Sequence, residues 1–176
     1  MVSYGTLQHN ITMGREWNVC DHGGKPVVGF SWLPQYHDMG LIGATIVSFA
    51  SGWTVHLMSP LSFIKNPLLW VELMSRHKVT ASFCLVVRKF RKAKESMKSP
   101  DGKSPVPGLD LSWIVSLFSG AEPIRPDTIQ QFQDTFTQFG LPRTWFGAGY
   151  GRAEHALSDT SQAEEICSYS GSRHTS

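Results

Sequence analysis

Three short glycine-containing motifs, each just after an apolar run, constrain the fold of this 176-residue chain more than any other feature. Trp32 to Gly43 reads WLPQYHDMGLIG, Ser119 to Arg125 reads SGAEPIR, and Tyr150 to Leu157 reads YGRAEHAL. The apolar runs are short and bounded by turn residues, which is typical of buried strands. Because helical patterns separate the runs, the sequence predicts an α/β fold with a mostly parallel sheet and crossover helices.

The predicted strands and helices alternate along one domain, residues 1–158, and a polar tail predicted to be disordered follows at 159–176. Strands are predicted over Val27–Leu33, Thr54–Met58, Val79–Val87 and Ile114–Phe118, with another starting at Thr144. Helices are predicted over Ser3–Asn18, His37–Phe49, from Pro67 through LLWVELMSRH, and over Pro126–Phe139. Ligands bind such sheets beyond the carboxyl ends of the strands, where the motifs fall.

The composition excludes several classes of protein. The 41% apolar and 17% charged content is that of a globular domain, and a net charge of +2 gives no indication of nucleic-acid binding. The three cysteines form no CxxC pair, which predicts a reduced, cytoplasmic location without disulfides or a zinc ribbon. No charged residue occurs from Met39 to Ile64, but three glycines interrupt this stretch, so no membrane span is predicted.

The first motif contains a His–Asp pair, His37 and Asp38, that allows several interpretations from the residues alone. The pair fits a metal site of the phosphohydrolase kind, or a general base with its orienting carboxylate. It also fits a structural histidine in the core whose ring nitrogens have hydrogen-bond partners. The metal interpretation is the weakest, because no other His or Asp nearby has ligand spacing.

The second motif places small residues between a predicted strand and a predicted helix. Gly120, Ala121, Glu122 and Pro123 follow the strand directly. Small side chains at this point let a flat base lie against the backbone. A plain strand-to-helix turn explains the same residues.

The order and spacing of the three motifs resemble the middle of the large domain of adenylate-forming enzymes, most closely the fatty acyl-AMP ligases. The resemblance continues through Leu57–Trp70 (LMSPLSFIKNPLLW) and Leu109–Trp113 (LDLSW). It implies an enzyme that uses ATP and Mg²⁺ to convert a fatty or other carboxylic acid into an acyl-AMP. It further implies that the acyl group passes to an acyl carrier protein thiol or to coenzyme A, and it favours the carrier protein.

The resemblance assigns roles to the first two motifs. His37 is expected beside the acid carboxylate and the α-phosphate, as a neutral donor or a gate, because the transition state there carries spread negative charge. Gly40 and Gly43 are expected to form walls of the acyl pocket. Gly120, Ala121 and Glu122 are expected to line the adenine pocket.

The third motif is expected to complete the nucleotide site. Tyr150 is expected to stack on adenine, Gly151 to permit a tight turn, and Glu154 to hold the Mg²⁺ that bridges the ATP phosphates. One position departs from the family, since Ala156 stands where a Thr hydroxyl meets the α-phosphate. The loss of that donor is expected to weaken the transition state by about 1–3 kcal/mol.

The resemblance covers about Val2 to Leu157. In the family a glycine-rich phosphate loop lies upstream, and a ribose-binding Asp and a small domain with a catalytic Lys lie downstream. The 176 residues contain no Gly-rich Ser/Thr loop with Lys. We therefore expect a fragment that is inactive alone. The alternative is a non-catalytic binding or interaction module, or a decayed copy, that retains the fold.

We predict that the purified 176-residue chain does not form acyl-AMP, because these residues include neither a phosphate loop nor a Lys-bearing domain. The measurement is pyrophosphate release with ATP, Mg²⁺ and a panel of fatty acids. Release above the protein-free background would contradict the prediction.

Overall fold

A computed structural model describes residues 3–17, 25–83, 106–120, 126–143, 146–150 and 160–161. The strands in these residues are β1 (Val28–Ser31), β2 (Thr54–Leu57), β3 (Ala81–Phe83), β4 (Ser116–Ser119), β5 (Phe146–Tyr150) and β6 (Thr160–Ser161). They form one sheet in the order β2-β1-β3-β4-β5-β6. Strands β1 to β5 pair in parallel and β6 pairs antiparallel to β5. The predicted α/β fold with a mostly parallel sheet is confirmed.

Helical elements separate β1 from β2, β2 from β3 and β4 from β5. The helical elements are α1 (Tyr4–Trp17), a π-helical segment (Met39–Ile46) that runs directly into α2 (Val47–Ser51), α3 (Pro60–Lys65), α4 (Pro67–Arg76), and α5 (Pro126–Phe136) with a 3₁₀ turn (Thr137–Phe139) after it. Gly52 ends α2 in the left-handed region at φ 69°, and Pro67 begins α4. Among the described residues no helix has the length and apolar character that crossing a membrane requires.

Three elements differ from the prediction. Helix α3 was not predicted, although Ser59 caps it by accepting the Leu61 N–H at 3.3 Å. Strand β5 extends through two glycines to Tyr150, because it pairs with β4 on one side and β6 on the other. Strand β6 lies in the stretch predicted as a polar tail, and the rest of that stretch falls outside the described residues. The predicted domain division stays a prediction.

The two faces of the sheet carry side chains of different size, as the register of β1 and β3 shows. Phe30 lies beside Ser82 on one face, and Gly29 lies beside Ala81 on the other. The face with Phe30 carries the main core, to which α4 contributes Trp70 and α5 contributes Phe132. The buried residues of this core are Phe30, Trp32, Leu33, Phe63, Trp70, Val71, Met74, Val79, Leu111, Ile114, Leu117, Phe132, Phe136 and Leu141.

A row of aromatic rings connects the first motif to this core. Trp32 stacks on Phe63 with ring centroids 4.0 Å apart, and Phe63 meets the edge of Trp70 at 6.0 Å. Trp70 in turn lies 6.3 Å from Phe132. Such contacts add to the burial of apolar area, so the chain that leaves β1 is held firmly at its carboxyl end.

Buried hydrogen bonds fix the pairing of β1 with β3. The Ser82 hydroxyl donates to the Phe30 carbonyl at 2.7 Å and accepts from the Trp70 indole N–H at 3.3 Å. Two residues earlier in each segment, Thr80 Oγ1 accepts the Val28 N–H at 2.9 Å. Because these polar groups are satisfied within the core, they specify the register of the central strands without a desolvation penalty.

The amino edge of the sheet carries a separate charged cluster. The ammonium groups of Lys25 and Lys78 each lie 4.9 Å from the ring centroid of Trp113. Hydrogen bonds from Ser112 lower the pKa of Asp110, and the two lysines add to this effect. The residues of this cluster come shortly before β1, β3 and β4 along the chain. The cluster therefore lies at the amino ends of these parallel strands, opposite the edge that carries the three motifs.

Two histidines stack where β2 meets the end of α4. The rings of His56 and His77 lie 4.1 Å apart, with 27° between their planes. Burial lowers the pKa of His56 below 6.5, and the charge of His77 lowers it further. The folded chain therefore favours the neutral form of His56.

We predict that the chain loses stability in mild acid through His56. Its pKa is lower in the folded state, so the unfolded chain binds a proton at higher pH and the free energy of unfolding decreases as pH falls below 6.5. His56→Gln should flatten this dependence in urea unfolding, whereas substitution of the exposed His9 of α1 by Gln should not. An unchanged pH dependence in His56→Gln would assign the acid sensitivity to other groups.

Candidate functional site

The strand order places a topological switch point at β1. From β1 the chain crosses to β2 on one side, and from β2 it returns past β1 to β3 on the other side. In open parallel sheets the crevice at the carboxyl ends of such strands is the usual ligand site. The first motif begins at the carboxyl end of β1, so it lies at this crevice. The residues that follow β3, 84–105, lie outside the described part of the chain.

A tight turn carries the first motif from β1 into the π-helical segment. The His37 N–H donates to the Pro34 carbonyl at 3.1 Å, and the Leu41 N–H donates to the His37 carbonyl at 2.8 Å. Gly40 is buried against this turn, and a Cβ built on it would lie 2.1 Å from the Pro34 oxygen. Position 40 therefore requires glycine, because any side chain would collide with the Pro34 carbonyl. The role of Gly40 as a wall of the acyl pocket stays a prediction.

The helix that follows begins in π-helical form, where the sequence predicted a regular α-helix. The Val47 N–H donates to Ile42 O, five residues back, and the Thr45 hydroxyl donates to Gly40 O at 3.0 Å. The side chain of Thr45 thus satisfies a carbonyl at the start of the segment. π-Helical segments are rare and are frequently found at functional sites.

His37 and Asp38 form a polar pair at the carboxyl edge. His37 Nδ1 lies 2.7 Å from Asp38 Oδ1, and the His37 side chain is 52% exposed. The Met39 N–H lies 2.7 Å from Asp38 Oδ1 but 3.3 Å from His37 Nδ1. The Met39 N–H therefore donates to both side chains, and Asp38 Oδ1 is the nearer acceptor.

A small cavity lies between the helical segment and the sheet face that bears Gly29. Its volume is about 30 Å³, room for no more than a few water-sized groups. Gly43 borders it, together with Ala44 and Ser48 from the next turns. The sheet contributes Val27, Gly29, Phe30, Val55, Ala81, Ser82 and Phe118, and Trp53 lies ahead of β2.

The second and third motifs reach the same edge of the sheet. Gly120 is buried and directly follows β4, and Tyr150 is the last residue of β5. The pairing of Ser119 with Ala148 sets Gly120 alongside Gly149. The other predicted site residues, Ala121, Glu122, Gly151 and Glu154, lie outside the described residues. Within the described ranges no three potential metal-ligating side chains cluster together.

Sequence reasoning did not identify Ser48, Trp53 and Phe118 as cavity residues. A signal for Ser48 was present, because Ala44 and Ser48 are small residues four positions apart on one helix face. Trp53 and Phe118 carried no comparable signal, since apolar residues next to strands are expected in any core.

Comparison with known proteins matches residues 1–172 to the AMP-binding enzyme family. The chain is 36% identical over 135 residues to the 4-hydroxyphenylalkanoate adenylyltransferase of Mycobacterium marinum, across 73% of this chain and 20% of that protein. It is 33% identical over 138 residues to a medium-chain-fatty-acid–acyl-carrier-protein ligase of Moorena producens, across 74% of this chain and 21% of that protein.

Among solved structures, the chain is similar to the fatty acyl-adenylate ligase from L. pneumophila, crystallised with acyl adenylate and pyrophosphate. The TM-score is 0.77 at 35% identity, and the match covers 92% of this chain and 27% of that one. The chain thus spans about a fifth of the length of the two curated relatives described above.

We predict that Gly40→Ala destabilises the chain by about 3 kcal/mol or more, because the new methyl group can be accommodated only if the backbone turn shifts. The measurement is urea unfolding followed by circular dichroism. Gly5→Ala is the matched control, since the nearest atom to a Cβ there is 3.8 Å away, and its stability should be unchanged or higher. Equal stability of the two variants would show that the Pro34–Gly40 contact does not constrain the turn.

Proposed function

Because the chain belongs to the family of AMP-binding enzymes, we propose that it forms part of a ligase that activates a fatty or other carboxylic acid as its acyl-AMP. One observation carries the proposal. The His37–Asp38 pair stands at the switch point of the sheet, and the helix that leaves it covers a cavity on the sheet surface. A polar group at an edge with an apolar recess below it is what a carboxylic acid requires.

The acyl chain would run along the π-helical segment, beside the small recess at the sheet. Gly43 and Ala44 keep this wall free of large side chains, and Val55 and Phe118 supply apolar surface. The carboxylate would then remain at the carboxyl edge, on the side of His37. The acid substrate is thereby oriented with its reactive end toward the nucleotide.

His37 would contribute a hydrogen bond to anionic groups of the substrates. Asp38 Oδ1 lies 2.7 Å from His37 Nδ1 and would orient the ring, and Nε2 would take the donor role expected from the sequence.

The nucleotide would lie across the carboxyl ends of β4 and β5. Gly120 and Gly149 are neighbours there and carry no side chains, which leaves room for a flat base on the backbone. Tyr150 follows directly and would stack on the adenine. Ala121, Glu122 and Gly151 would complete this pocket.

Glu154 would hold Mg²⁺, which when bound neutralises phosphate charge. The residue two positions on is Ala156, which has no hydroxyl for the α-phosphate. His37, in the first motif, would then be a hydrogen-bond donor near the α-phosphate. The activated acyl group would pass to a carrier-protein thiol or to coenzyme A, and the name of the Moorena producens relative favours the carrier protein.

A second candidate function is a non-catalytic binding module that retains the fold. Ala156 is the observation that favours it, because the loss of a phosphate donor would slow turnover without removing the other residues expected to bind the nucleotide. The two candidates differ in whether the acid is chemically activated.

We predict that a longer polypeptide, in which this chain is joined to a family phosphate loop and a Lys-bearing domain, forms acyl-AMP from ATP and a carboxylic acid. The measurement is acid-dependent exchange of labelled pyrophosphate into ATP. Glu154→Gln keeps the side-chain shape, removes the charge and should lower exchange by about a hundredfold. Its melting temperature should be nearly unchanged.

Ala156→Thr in the same polypeptide should leave exchange equal or raise it by up to about tenfold through a new hydrogen bond. If Glu154→Gln lowers the melting temperature sharply and leaves exchange intact, Glu154 is a structural carboxylate. If no acid supports exchange although Mg²⁺–ATP binds, the binding-module function is the correct one.

A further inference from the structure

A row of basic side chains lies along the amino edge of the sheet, opposite the candidate functional site. Lys25 precedes β1, Lys78 precedes β3 and Arg143 precedes β5. Because β1, β3, β4 and β5 are neighbours in the parallel sheet, these residues meet at one edge, and the row spans roughly 15 Å at the usual strand spacing. Asp110 and Trp113 precede β4 within this basic row.

Trp113 holds two of these ammonium groups in fixed positions. The Nζ atoms of Lys25 and Lys78 each lie over its ring, 4.9 Å from the centroid. Lys25 Nζ also donates to the Ser112 carbonyl at 3.5 Å, and the backbone of Lys78 is in the left-handed region at φ 52°. Two long side chains are thus ordered before a partner arrives, which lowers the entropy cost of binding.

The two ammonium groups keep most of their hydrogen-bonding capacity. Within the described ranges neither lysine forms a salt bridge, although each ammonium group has three N–H donors. Asp110 is exposed in the same cluster, but its Oδ1 accepts the Ser112 N–H at 2.9 Å. The lysine donors therefore remain available to anionic groups from outside the chain.

From this arrangement we infer that the basic row is a docking surface for an acidic helix of a partner protein. The two Nζ atoms are separated by at most twice 4.9 Å, since both are referred to the same ring centroid. Carboxylates one turn apart on a helix have Cβ atoms about 5–6 Å apart, so two Glu side chains reach both ammonium groups. Arg143, further along the row, meets a carboxylate of a following turn.

The same residues favour a protein over a nucleic acid as the partner. Trp113 is half-buried and already contacts two ammonium groups, so it does not offer the open ring face that base stacking requires. The exposed carboxylate of Asp110 repels a continuous phosphate backbone, whereas a helix can present an uncharged or basic residue opposite it. The inference does not depend on the proposed function, because the basic row lies at the other edge of the sheet.

The test uses a fluorescein-labelled, alanine-rich helical peptide of about 20 residues with Glu residues four positions apart. Its binding to the full 176-residue chain is measured by fluorescence anisotropy at low ionic strength. The peptide should bind about tenfold more tightly than the same peptide with Gln for every Glu. Added salt should remove most of this difference, because it screens exposed charges.

The variant that tests the surface combines Lys25→Gln with Lys78→Gln, and it should weaken binding of the Glu peptide about tenfold. The matched control combines Arg15→Gln on α1 with Lys65→Gln on α3, which removes the same two charges from exposed positions elsewhere. The control should change binding by less than about twofold. Lys25→Arg with Lys78→Arg keeps both charges and should keep the affinity.

If circular dichroism shows that the double glutamine variant is unfolded, Lys78→Gln alone takes its place, because Lys78 is exposed. Lys65→Gln is then its control. The single variant should weaken binding about threefold.

Three outcomes overturn the inference. The first is equal binding of the Glu and Gln peptides, and the second is equal weakening by the test and control substitutions. The third is tighter binding of a single-stranded DNA of the same net charge, which would assign the basic row to nucleic acid. None of these outcomes affects the proposed function, whose experiment measures exchange of pyrophosphate.

Discussion

The close approach of Gly40 to the Pro34 carbonyl is the constraint on which the site depends. It lets the chain leave β1, turn sharply and enter a helix within a few residues, because no Cβ fills the space between the two backbones. His37 is thereby exposed at the sheet edge, and Gly43 and Ser48 are brought over the sheet surface. A larger residue at position 40 would displace all three together.

The two faces of the sheet have different roles: one carries the packed core, and the other borders the recess. The face of Phe30 is filled by α4 and α5, and their aromatic rings meet at 6.3 Å through Trp70 and Phe132. The opposite face carries Gly29 and Ala81, whose small side chains leave a recess under the π-helical segment. A dense core on one side can therefore hold the strands in register while the other side keeps an opening.

Sequence patterns correctly predicted the helix and strand boundaries that have strong local signals. Gly52 and Pro67 marked a helix end and a helix start because their backbone preferences act locally. Helix α3 was missed because its six residues are too few to show a periodic apolar stripe. The π-helical form of Met39–Ile46 was missed for a different reason. It depends on hydrogen bonds five residues apart, which an apolar pattern does not encode.

By itself the sequence determined the α/β class, the family resemblance and the placement of the three motifs after strands, because these follow from periodicity and short-range residue order. Only the tertiary structure decided that Gly40 contacts backbone while Gly43 borders a cavity. It also decided that His37 Nδ1 lies beside Asp38 Oδ1 and that Ser48 faces the recess. These properties depend on which atoms from distant parts of the chain meet, and residue order along a single segment does not contain that information.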